Sequence, residues 1–257
     1  GRIVSALAGV VSTIAVYFAG YWLSGSSMGL LAALFYAVSP FNLFFDRMAL
    51  VEALLNAGCV WSFSLAVFIA RRAQSHRVAA LAGVALGLAL AAAIWTKMTG
   101  VFAIPLPLLC ALCLSRRHKI STSILGFTVG GLVYSLLSLL LFFAPGGDKL
   151  VGKASSFTID PRGLLSFPIE SWSQNFRNYW TWIQAYLSAP LWWLLIIAVV
   201  WAILLRRRVA LVLLLCWAAS TLPPTLLAVP KLYTSRYIVH GLFPLYLLMA
   251  DMAVWAW

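Results

Sequence analysis

Three stretches of the sequence carry side chains able to do acid–base or phosphate chemistry. The first is Asp46-Arg47 followed by Glu52 and Asn56. Read as one helix, it carries Glu52 about 7–8 Å below Arg47, at ~1.5 Å per residue, and Asn56 one turn further on the same face. A carboxylate at that depth in an apolar segment must face protein or water, which makes Glu52 a functional candidate, with Asp46 beside it. The second stretch ends in Trp95-Thr96-Lys97, where the lysine offers a compact, hydrated charge suited to a phosphate. The third runs from Lys231 to His240. Read as a helix from Tyr233, it gathers Tyr233, Arg236, Tyr237 and His240 on one face. An arginine fork among phenols and an imidazole suits a phosphate or pyrophosphate.

These stretches must be held by membrane helices. Of 257 residues, 63% are hydrophobic and 9% charged, and the mean hydropathy is +0.98. A soluble domain is nearer half apolar and a quarter charged. About nine apolar segments can be drawn, roughly 3–23, 28–45, 48–70, 78–94, 101–114, 120–144, 190–205, 209–229 and 241–257. Pro40 biases Ser39 away from helix, so a break followed by a short loop or turn is expected there. The predicted fold is therefore all-α, a polytopic transmembrane bundle. Its one long loop, 145–189, carries an amphipathic surface helix over 171–189 built on Trp172, Phe176, Tyr179, Trp180, Ile183 and Leu187.

The net charge of +12 would suggest nucleic acid in a soluble chain, but here the cations cluster in short loops between apolar runs. Arg71, Arg72 and Arg77 occupy one loop, Arg116, Arg117 and Lys119 the next, and Arg206, Arg207 and Arg208 a third. Placing all three in the cytoplasm satisfies the positive-inside rule with alternating helices and excludes a nucleic-acid partner. Asp46, Arg47, Lys97, Lys231, Arg236 and His240 then fall on the outer face with the long loop. His76 and His118 read as solvated loop residues. Cys59, Cys110, Cys113 and Cys216 lie inside apolar runs, and the Cys110/Cys113 pair lacks the partners of a zinc set, so no metal is assigned.

In this order the stretches resemble the GT-C superfamily of polytopic glycosyltransferases, in the branch of protein O-mannosyltransferases and lipid A aminoarabinose transferases. The resemblance runs from Arg2–Val10 through Tyr17 and Gly20 to Gly29–Leu34 with Ser39-Pro40. It continues through Arg47-Met48-Ala49-Leu50-Val51-Glu52-Ala53-Leu54-Leu55, with Glu52 where the family more often has Asp. Gly83 to Lys97 with Gly100 resembles the family's glycine-rich helix ending in Thr-Lys, and Ser235-Arg236-Tyr237 with Pro244 its last motif.

The resemblance implies transfer of a sugar from a polyprenyl-phosphate donor to a lipid, glycan or protein acceptor at the non-cytoplasmic face. The expected setting is a bacterial or archaeal cytoplasmic membrane, with membrane lipids as the other partners. Glu52 and Asp46 are then auxiliary catalytic candidates, because the family's main aspartate belongs to an outer loop preceding the segment at 1–23. Residues 1–257 are accordingly expected to be an incomplete GT-C-like domain, truncated at both ends. Arg47, Asn56, Lys97, Lys231, Tyr233, Arg236, Tyr237 and His240 are the substrate-binding candidates. The sequence shows no cofactor beyond the donor and leaves a divalent-cation requirement open. A transporter or flippase for a lipid-linked or anionic substrate is the alternative, and it predicts broken helices with polar residues at mid-membrane.

Overall fold

A computed structural model describes residues 1–48, 51–115, 120–144, 157–159 and 161–257. Among them the chain forms twelve α-helices: α1 (Arg2–Ser24), α2 (Ser26–Val38), α3 (Pro40–Arg47), α4 (Glu52–Arg71), α5 (His76–Thr96), α6 (Pro105–Leu114), α7 (Ile120–Phe143), α8 (Pro161–Leu165), α9 (Ile169–Tyr186), α10 (Ala189–Leu205), α11 (Arg208–Leu227) and α12 (Phe243–Trp255). Short 3-10 turns cover Met98–Ala103, Ser235–Tyr237 and Val239–Gly241. The fold is an all-α membrane bundle, and the protein is an integral membrane protein. Five helices are long and apolar enough to span a bilayer: α1, α4, α5, α7 and α11. Two further candidates are bent pairs, α2 with α3 at 63° and Ser235–Gly241 with α12 at 44°. Met98–Leu114 and α10 are shorter apolar stretches. Together these account for all nine apolar segments of the sequence.

Helices in lipid gain little from apolar burial against each other, so close backbone approach matters more. The α5–α7 contact shows how the sequence achieves it. A Cβ on Gly83 would lie 2.2 Å from the carbonyl oxygen of Gly126, and one on Gly87 would lie 2.6 Å from that of Gly130. Only glycine on α5 admits α7 at that distance.

The helices alternate in direction, which sorts the charges to two ends. At one end Arg71 Nη1 donates to the Leu23 carbonyl (2.9 Å), and Arg72 donates to those of Trp22 and Tyr21 (3.4 Å each). These carbonyls belong to the last turn of α1, where backbone donors run out; that of Tyr21 also accepts from the Gly25 N–H (3.0 Å). Arg207 Nη2 lies 3.9 Å from Asp251 Oδ1, which also accepts from Ser24 Oγ (3.4 Å). The opposite end holds Glu52, Lys97 and Arg236. Arg116, Arg117, His118 and Lys119 lie outside the described residues.

Two expectations change here. The chain past Pro40 is a second helix, α3, rather than a loop or turn; proline is well tolerated at a first helical position. The segment 48–70 is also not continuous with Asp46. α3 ends at Arg47, Met48 is extended (φ −78°, ψ 143°), and α4 begins at Glu52.

Candidate functional site

Glu52 opens α4, in the first turn where a carboxylate complements the exposed amides of a helix start. Its place is therefore set by the break in the chain, not by descent along a helix from Asp46. Two cations meet one of its oxygens. Lys97 Nζ lies 2.9 Å from Glu52 Oε1, and Arg236 Nε lies 3.8 Å from the same atom. The Glu52 side chain is 2% exposed, against 22% for Lys97 and 49% for Arg236. Glu52 Oε2 is buried and has no hydrogen-bond partner among the described residues.

Lys97 is aimed by the end of α5. The helix stops at Thr96, whose hydroxyl donates back to the Ala92 carbonyl (2.7 Å), and Lys97 is extended (φ −161°, ψ 135°). Gly100 N–H then donates to the Lys97 carbonyl (2.8 Å). A Cβ at Gly100 would lie 2.6 Å from the carbonyl carbon of Ala93. The Thr-Lys-x-x-Gly spacing is thus a tight reversal against α5 that only glycine permits.

Arg236 stands in the 3-10 turn Ser235–Tyr237. The Tyr237 ring lies under the Lys97 ammonium at 4.9 Å, within cation–π range. Tyr237 stacks on Tyr233 (6.2 Å, 15°), and Trp182 of α9 packs on Tyr233 at 5.0 Å. The Tyr233 hydroxyl shares a 2.7 Å hydrogen bond with Thr225 Oγ1 of α11. Burial raises the Tyr233 phenol above its ordinary range, so it remains a neutral hydroxyl.

The structure thus joins Glu52, Lys97, Arg236, Tyr237 and Tyr233, but it does not bring in the other candidates as expected. The stretch from Tyr233 is not one helix face. It forms two 3-10 turns, and His240 is fully buried, with neither ring nitrogen hydrogen-bonded among the described residues. Lys231 is exposed and makes no ion pair among the described residues. Arg47 is likewise exposed, and the cations paired with Glu52 are Lys97 and Arg236 instead. Asp46 sits against α1: a Cβ on Gly9 would fall 2.5 Å from its Oδ2. Among the described residues Asp46 makes no ion pair.

Asn56 points into a network that the sequence did not single out. Its amide donates to the Tyr36 hydroxyl, and Asn42 donates to the Tyr36 carbonyl (3.1 Å). Tyr36 meets Tyr246 edge-on at 5.9 Å, and the Tyr246 hydroxyl shares a 2.7 Å hydrogen bond with Ser39 Oγ. Polar residues in apolar helices were the available signal. Among the described residues no group of three or more His, Cys, Asp or Glu could hold a metal.

Two cations and one carboxylate thus cluster where several spans of the bundle end. The family model of the dolichyl-phosphate-mannose-protein mannosyltransferases matches residues 1–143. The chain belongs to that family, a group of GT-C glycosyltransferases. Membership supports glycosyltransferase activity with a lipid-linked donor at the membrane. The matched region contains Asp46, Glu52, Asn56 and Lys97, while Arg236 and Tyr237 lie beyond it. No curated protein matches the chain, and no solved structure does.

Proposed function

We propose that this protein transfers a sugar from a polyprenyl-phosphate donor to an acceptor at the non-cytoplasmic face, with the Glu52–Lys97–Arg236 cluster taking the donor phosphate. The carrying observation is the convergence of Lys97 and Arg236, 139 positions apart in the sequence, on one oxygen of Glu52. Two cations on one carboxylate leave the cluster with net positive charge. A phosphate at headgroup depth completes it, accepting from the lysine and the arginine fork. As the glycosidic bond to that phosphate breaks, negative charge grows on the departing oxygen, and fixed cations stabilise it most in that state. Tyr237 holds Lys97 in place through its ring face.

These residues supply the leaving-group half of the reaction. Attack by the acceptor needs a base near its hydroxyl or amine, a role that the paired residues of this cluster are not assigned. The arginines at the opposite end of the bundle favour a cytoplasmic position for that end. That end is also tied together by Arg207, Asp251 and Ser24, which favours chemistry at one face over passage through the bundle.

The test supplies labelled polyprenyl-phosphate sugar to membranes carrying the protein, with lipid, glycan and protein acceptors offered separately. Label is expected to move to one class. Lys97→Ala and Arg236→Ala should each raise the donor KM by about ten- to a hundredfold, with the half-exposed Arg236 at the lower end. The double variant should depart from additivity. Strict additivity removes the shared phosphate, and no transfer to any acceptor removes the activity.

A further inference from the structure

Where α9 crosses the end of α11, the bundle leaves an apolar groove of about 540 Å³ lined by Phe176, Tyr179, Trp180, Trp217, Ala218 and Leu222, with Arg177 at its edge. Its volume falls in the ~300–1,000 Å³ range of ligand sites. α9 is anchored over the last turn of α11. Asn175 Nδ2 donates to the carbonyls of Thr225 (2.9 Å) and Ala228 (2.8 Å), and Trp172 Nε1 donates to that of Leu226 (3.0 Å). Arg177 therefore stands beside the last turns of α11, which ends at Leu227.

The polar atoms of the groove wall are already satisfied. Trp217 Nε1 donates to the Tyr179 hydroxyl (2.7 Å), and Thr221 Oγ1 donates to the Trp217 carbonyl (2.8 Å). Thr225 Oγ1 is joined to Tyr233 (2.7 Å). An occupant meets carbon everywhere except at Arg177, so the groove suits a hydrocarbon chain and not a sugar or peptide. Beside it lies a polar recess of about 290 Å³ formed by Glu170, Ser173, Gln174 and the same Arg177. Among the described residues no carboxylate lies within ion-pair distance of Arg177.

The geometry points to a second lipid site: the groove takes one acyl chain of an anionic phospholipid with a hydroxylated headgroup, of the phosphatidylglycerol type. Arg177 takes its phosphate, while Glu170, Ser173 and Gln174 take the headgroup hydroxyls. Chain, phosphate and hydroxyls each meet the matching part of the wall. The groove shares no lining residue with the Glu52–Lys97–Arg236 cluster, so the site is distinct from the proposed donor phosphate.

The test uses the purified protein in phosphatidylcholine vesicles doped with phosphatidylglycerol or phosphatidylcholine carrying an acyl-chain diazirine, with crosslinked peptides read by mass spectrometry. Phosphatidylglycerol is expected to label 176–180 and 217–222 in preference to phosphatidylcholine. Arg177→Gln, an exposed change that leaves the packing alone, should cut that preference about fivefold. Leu222→Trp and Ala218→Phe, which fill the groove, should reduce labelling there with either lipid. Lys97→Ala should leave all of it unchanged. Equal labelling by both lipids, unaffected by Arg177→Gln, reduces the groove to ordinary annular lipid and overturns the proposal. Displacement of the probe by trace polyprenyl phosphate, abolished by Lys97→Ala, also overturns it and makes the groove the donor's own chain site.

Discussion

Lys97 and Glu52 are joined by a 2.9 Å ion pair across 45 residues, from the end of α5 to the start of α4. Gathered cations need an anion, and Glu52 supplies one from within the chain. It stands against Lys97 and Arg236 as a phosphate would, so in the proposed reaction it competes with the donor for both.

That competition has a sign. Glu52→Gln keeps the shape and removes the charge, leaving Lys97 and Arg236 without their internal counter-ion. The donor KM is expected to fall about threefold to tenfold, while kcat falls because Lys97 is less firmly placed. Steady-state kinetics with varied donor read both. A KM that rises with no change in kcat contradicts the counter-ion role.

Gly9 is the seat of Asp46. Gly9→Ala places a methyl 2.5 Å from the Asp46 carboxylate and should lower thermal stability in detergent by about 1–3 kcal/mol. Adding Asp46→Ala, which removes the atoms at 2.5 and 2.6 Å but leaves the Cβ at 2.9 Å, should recover part of that loss. If the double variant is as unstable as Gly9→Ala alone, the contact does not govern the α1–α3 fit.

The α5–α7 seam has an internal control. Gly83→Val drives a side chain into the Gly126 carbonyl, whereas a Cβ on Gly131 meets nothing within 4 Å. Thermal unfolding should show Gly83→Val losing about 1–3 kcal/mol or more, and Gly131→Val little. Similar midpoints for the two contradict the close approach.

Orientation can be read from outside. In a background with the four native cysteines replaced, Ser75→Cys should be protected from a membrane-impermeant maleimide in intact cells, and Ser173→Cys should react. The reverse pattern inverts the bundle and moves the proposed chemistry to the other face.

The spans were legible because hydropathy is a property of whole segments, and α9 because its aromatics recur every three or four residues. The break after Arg47 was not. Met48 and Val51 are apolar, and no glycine or proline marks the interruption, so the stretch reads as continuous helix. The 3-10 turns around Arg236 escaped for a related reason: Tyr233, Arg236, Tyr237 and His240 fit a helical period that the backbone does not keep. Lys97 and Arg236 were individually visible as cations near apolar ends. Their common partner was not, since it depends on how α4, α5 and the turn before α12 meet. Tyr36, Asn42 and Tyr246 do not stand out in the sequence, because isolated hydroxyls and amides in oily helices have no period, and only packing with Ser39 and Asn56 makes them a network.

The arginines at the end of α4 bind the two stages of this protein's biogenesis together. By the positive-inside rule Arg71 and Arg72 would weight their loop toward the cytoplasm during insertion, and in the finished bundle they donate to carbonyls in the last turn of α1. Neutralising them would remove an orientation signal and a helix clasp in one stroke. A chain inserted upside down and a chain inserted correctly but unlatched would then arise from the same substitution, so for these residues topogenesis and folding are a single genetic trait.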